Sequence, residues 1–130
     1  MWFTEMSIRI ARRMALITGT VLPCIETWRR WRMLSDWPSW ADDYIAAALL
    51  LYAWHAGRKD PMQSRPYLMA AWGYTLGIAY MSFFGQLRAP VVHDPSGTPL
   101  PVVLGFKGLG LAASAVCLAL AWTARPNRDA

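Results

Sequence analysis

The sequence predicts an all-α integral membrane protein, a bundle of four transmembrane helices, with three as the competing count. Three observations carry that expectation. Apolar residues make up 55% of the 130 residues and charged residues only 16%. The apolar residues gather into long runs instead of recurring at amphipathic spacing. The basic residues flank those runs, with Arg9, Arg12 and Arg13 before the first, Arg58, Lys59 and Arg65 between the second and third, and Arg125 and Arg128 after the last. A chain of this length holds one domain.

The clearest span is 102–123, whose single charge is Lys107. At about 1.5 Å per residue it covers a hydrocarbon core of about 30 Å. Lys107 lies near its start, where a flexible stem snorkels to the headgroups, and Pro99 and Pro101 mark the beginning. Residues 67–87 form a second span with no internal charge, preceded by Pro66. Residues 40–57 are shorter, bounded by Asp42 and Asp43 at one end and by Trp54 and His55 at the other. They span only if those ends reach the interface.

The first segment is the open one. Its uncharged core, 14–25, contains Gly19 and Pro23. It spans as 8–28 if Arg9, Arg12 and Arg13 snorkel and Pro23 bends the helix; otherwise it is re-entrant or lies on the surface. A basic start followed by a short apolar stretch matches part of a signal peptide. Pro23 before Cys24 makes a poor cleavage site, so the helix is expected to be retained. The following stretch mixes Trp28, Trp31, Trp37 and Trp40 with Arg29, Arg30 and Arg32, and is expected to extend the first helix along the headgroup layer.

Topology follows from charge. With four spans, eight Lys/Arg share the side of the termini and of the 58–65 loop, against five opposite, which places both termini in the cytoplasm. With three spans the tail lies outside. Aromatic residues sort into two belts in the four-span arrangement: Trp54, Trp72 and Trp122 on the cytoplasmic side, and Trp28, Trp31, Trp37, Trp40, Phe83 and Phe84 opposite.

Few residues offer chemistry. Asp42, Asp43, Glu26, Arg29 and Arg30 form the candidate polar site, since ionisable groups beside membrane runs mark ion or substrate paths. Against that, Ser39 with Asp42 reads as a helix start whose acidic groups suit the N-terminal dipole. Glu26 falls near a boundary, whereas the coupling carboxylate of a proton-driven exporter sits deep. Gly73 and Gly77 form a Gly-x-x-x-Gly pair, and Gly108 with Ala112 offers a matching small stripe; packing of the third helix on the fourth is favoured over self-association.

His55, His93, Cys24 and Cys117 show no metal or haem spacing, so no cofactor is expected, and the cysteines read as free apolar packing residues. No nucleophile has a His and acid partner, which leans away from an enzyme. The net charge of +5 is explained by flanking anchors to the lipid bilayer, and no nucleic-acid motif is present.

Asp42-Asp43 followed by Ala48-Leu-Leu-Leu-Tyr-Ala-Trp54, then Ala71-Trp-Gly-Tyr-Thr-Leu-Gly77 and Tyr80-Met-Ser-Phe-Phe-Gly-Gln-Leu87, resembles small uncharacterised bacterial four-helix membrane proteins. The resemblance covers the middle half of the chain and implies a bacterial inner membrane, with no assigned activity. Three functions compete. The first is a structural or accessory protein packing with a membrane-protein partner or as a homo-oligomer. The second is a small transporter or channel with a polar vestibule near Asp42 and Asp43, and the third a membrane enzyme or quinone-associated subunit.

Overall fold

The computed structural model describes residues 2–30, 41–88 and 99–125. Four α-helices follow one another: α1 over Trp2–Arg30, α2 over Ala41–Ala56, α3 over Arg65–Arg88 and α4 over Leu100–Thr123, with a short 3-10 turn at Pro61–Ser64 between α2 and α3. No strand occurs among the described residues.

The observed boundaries follow local chemistry. Asp60 caps the 3-10 turn by accepting from the Met62 amide at 3.1 Å, and Pro61 takes a first-turn position where its missing N–H costs nothing. Pro99 precedes α4 and accepts from the amides of Val102 and Val103 through its carbonyl. α1 is longer than the expected 8–28 and runs unbroken through Pro23. The Trp- and Arg-rich continuation expected for residues 31–40 lies outside the described residues, as does His93.

Consecutive helices are neighbours. α3 packs on α4 and α1 on α2 most extensively, α2 also packs on α3, and α1 closes the ring against α4. The two halves of this ring differ. In one, Ile8, Ala11 and Ala15 of α1 meet Leu50 and Ala53 of α2, Leu68, Ala71 and Trp72 of α3, and Cys117, Ala121 and Ala124 of α4 in a single buried cluster. This is the packed end, where α2 and α4 finish. Toward the other end, where α2 and α4 begin, the helices surround a cavity.

Small residues set how close the helices come. A Cβ on Gly19 would lie 3.3 Å from the Ala47 carbonyl oxygen, so α1 and α2 nearly touch backbone to backbone. A Cβ on Gly57 would sit 2.6 Å from Arg12 Nε and 2.8 Å from Ser64 Cβ. On α4, a Cβ at Gly108 would meet Phe83 of α3 at 3.2 Å. By contrast, Gly73 and Gly77 have nothing within 4 Å of an added Cβ, and Ala112 is exposed. The expected seam of α3 on α4 through Gly73, Gly77 and Ala112 is therefore corrected. α3 turns Leu68, Ala71, Trp72 and Thr75 inward, which leaves the Gly-x-x-x-Gly face outside.

The interior is small and the exterior large. Among the described residues, eight of the fourteen buried hydrophobic residues are alanine, while nineteen large apolar side chains are exposed, spread over all four helices. Among the described residues, α4 is the one helix both long and apolar enough to cross a membrane. α2, at 16 residues, is short. α3 has the length but carries Trp72, Tyr74, Tyr80 and Gln86, and α1 carries charge near both ends.

These packing distances give opposite expectations for glycines that look alike in sequence. Gly57→Ala should lower unfolding stability by about 1–3 kcal/mol, because Ser64 Cβ cannot yield without moving backbone. Gly73→Ala and Gly77→Ala should be neutral or stabilising by about 0.5–1 kcal/mol each. Thermal unfolding of the purified variants, followed by circular dichroism, measures both.

Candidate functional site: a charged cavity within the bundle

Beyond the packed cluster the inward faces of the helices do not meet, and a cavity remains. Trp72 sits at the boundary, 1% exposed, and its indole Nε1 donates to the Ala11 carbonyl at 3.3 Å. The expectation that Trp72 belongs to an interfacial belt is thereby corrected: it is the largest fully buried side chain. Beyond it lies a partly open volume of about 430 Å³ lined by residues of all four helices, within the range of small-molecule pockets.

Most of the lining is apolar, from residues such as Leu22, Ile25, Ile78, Val103 and Phe106. Among the described residues, three charged side chains from three different helices line the cavity: Glu26 of α1, Asp43 of α2 and Lys107 of α4. Glu26 is 7% exposed, although it lies close to the end of α1. Lys107, expected to snorkel outward to headgroups, instead lines this space. Its place in the second turn of α4 puts it on the face that continues to Ser114.

The adjacent aspartates part company, as residues about 100° apart on a helix must. Asp43 lines the cavity, while Asp42 is exposed and accepts from the Tyr74 hydroxyl at 3.4 Å, tying α2 to α3. A hydrogen bond between the Thr27 and Tyr44 hydroxyls ties α1 to α2 at the same end. Arg29 and Arg30 close α1, and their side chains lie outside the described residues.

The hydroxyls of the lining are partly committed. Thr75 donates to the Ala71 carbonyl at 2.7 Å and Ser114 to the Gly110 carbonyl at 2.7 Å, each one turn back along its own helix. A hydroxyl has one proton, so what remains of each is its lone pairs.

At the packed end two arginines serve helix termini. Arg12 donates to the Trp54 carbonyl through Nε at 3.1 Å and through a terminal nitrogen at 2.8 Å. Its guanidinium also lies 5.8 Å from the centre of the Trp54 ring. Arg65 donates to the carbonyls of Ala121 at 3.1 Å and Trp122 at 3.0 Å. Both bind the last turn of another helix, where carbonyls lack intrahelical donors and the dipole favours a cation. Arg12 was expected only to snorkel. Nothing in its spacing gives the Trp54 contact away, but a Gly at position 57 beside it is the sequence mark of the room it needs.

The remaining candidates stay apart from the cavity. His55 is exposed at the end of α2, Cys24 is exposed and Cys117 buried, both as free thiols. Among the described residues no group of three or more His, Cys, Asp or Glu side chains is placed to hold a metal. No protein-family model, curated protein or solved structure matches the chain.

Because Trp72 fills the boundary and its indole N–H is satisfied by the Ala11 carbonyl, Trp72→Phe should lower stability by about 1–3 kcal/mol, combining a lost hydrogen bond with a small void. Trp72→Ala should cost more, about 3–5 kcal/mol. Melting followed by circular dichroism reads both; a Trp72→Phe variant as stable as the parent contradicts the sealing role.

Proposed function

We propose that this chain is a four-span integral membrane protein that holds a small molecule in the cavity, as a small transporter or carrier. The observation that carries this reading is the convergence of Glu26, Asp43 and Lys107 on one space inside an otherwise apolar bundle. Ionisable groups gathered beside membrane-spanning runs mark binding sites and substrate paths. The cavity ends at Trp72 and the packed cluster, so the arrangement favours a one-sided binding site over an open pore.

The membrane part of the proposal draws on the reversed distribution of size. A water-soluble bundle buries its large apolar residues; here alanines are inside and Ile17, Tyr52, Phe106, Leu109 and Val116 are outside. Small interior residues are what close helix packing in lipid calls for. Only 17% of the apolar stretch of α4 is buried, unlike the core helix of a soluble protein. α2, about 24 Å long at about 1.5 Å per residue, falls short of a core of about 30 Å. Arg12 offsets this by supplying donors to its C-terminal turn, as backbone in lipid requires.

The charge distribution puts the packed end, with Arg12 and Arg65, on the cytoplasmic side together with both termini. The cavity then faces away from the cytoplasm. A bacterial inner membrane fits the resemblance in residues 42–54 and 71–87.

Two measurements test this. The protein should remain in the pellet after alkaline carbonate extraction, and a reporter fused after Ala130 that works only in the cytoplasm should be active. Release by carbonate removes the membrane assignment, and an inactive reporter leaves three spans.

A second reading, an accessory protein that packs against a membrane partner or itself, is favoured by the open face at Gly73 and Gly77. In this reading Gly73→Ile and Gly77→Ile abolish crosslinking in native membranes while leaving the monomer folded. Unchanged crosslinking, or none in the parent, counts against it.

A further inference from the structure

We propose that the cavity takes a small organic monocation, an apolar body carrying a protonated amine, an inference that rests on reading the cavity as a ligand site. The argument is an account of donors and acceptors. Thr75 and Ser114 have each given their one proton to a backbone carbonyl, so toward a ligand they can only accept. The one N–H of the Trp72 indole is given to the Ala11 carbonyl, leaving this residue only its ring to offer.

Glu26 and Asp43, as carboxylates, accept only. Each has two oxygens with about four lone-pair sites, so each can receive a ligand N–H while keeping another partner. Against these acceptors the described lining residues set one cationic donor, Lys107, and the adaptable hydroxyls of Thr18 and Ser82. Among these residues a ligand rich in acceptors finds fewer partners than a ligand rich in donors.

A ligand ammonium is the complement of this set. It brings three donors, its charge strengthens the hydrogen bonds to Glu26 and Asp43, and the faces of Trp28, Trp72 and Phe106 attract a cation. Its apolar body replaces water against Leu22, Ile25, Ile78 and Val103. The volume of about 430 Å³ suits a single aromatic ring with a short amine arm.

The test uses the full-length protein in detergent and three probes of matched shape: 2-phenylethylamine, 2-phenylethanol and 3-phenylpropionate. Binding is read from saturable quenching of tryptophan fluorescence and checked by equilibrium dialysis against empty micelles. The amine should bind at least tenfold more tightly than the alcohol, and the carboxylate most weakly. Glu26→Gln and Asp43→Asn should each weaken the amine tenfold or more while changing the alcohol less than twofold. Thr75→Val, which keeps the shape and removes an acceptor, should weaken the amine severalfold; it carries the test if the carboxylate variants do not fold. Alcohol or carboxylate binding as tight as the amine overturns the monocation and leaves the ligand site standing. No saturable binding of any probe overturns both.

Discussion

Helix C-termini end in carbonyls that have run out of their own donors, and this fold depends on how two of those ends are served. Arg12 reaches from the first helix to the last turn of the second, and Arg65 from the start of the third to the last turn of the fourth. Each guanidinium supplies a geometry-matched fork of N–H groups, which a lysine ammonium cannot reproduce. The two contacts join helix pairs that adjoin in the ring, fixing the axial offset between them. With the offset fixed, Ala11 and Ala15 fall opposite Leu50, Ala53 and Trp72, and the packed cluster follows.

The hollow half depends on the packed half. Cavities lined by apolar residues are unfavourable because their walls lose contacts, so a bundle can hold one only where the rest of the structure keeps the helices apart. Trp72 contributes to this at the boundary, its ring fully buried and its indole N–H donated to the Ala11 carbonyl. Above it Thr18, Thr75 and Ser114 line the space together with Leu22, Ile25, Ile78, Val103 and Phe106. Phe83 resting against Gly108 holds the third and fourth helices together beside the cavity. The void thus begins where the packed cluster ends at Trp72.

Much of this architecture was legible from the sequence. Length, apolar runs and prolines located four helices, because backbone propensity and segment hydrophobicity are local properties. The side each helix turns inward was not. Helices two, three and four are apolar along most of their faces, so periodicity carries no orientation, and Gly73-x-x-x-Gly77 reads as a seam while Gly57 reads only as the end of a span. Lys107 misled for the same reason: its depth along the helix fits snorkelling, and only the neighbours decide whether it turns to lipid or to the axis. Trp72 differs from Trp54 and Trp122 only in what surrounds it, so a belt assignment made by depth alone misplaces it.

Of the candidate site, the residue types were visible and their grouping was not. Asp42 and Asp43 stand together in sequence but separate in space, since a helix turns neighbours about 100° apart. Glu26 and Lys107, far apart in sequence, line one cavity with Asp43. The feature that tips the cavity toward donor-bearing ligands could not be read from sequence at all. Thr75 and Ser114 are ordinary hydroxyls until their protons are seen to be spent on Ala71 and Gly110. That commitment makes these two hydroxyls accept and not give, so the character of the space is written by the helices' own hydrogen bonds as well as by its charged side chains.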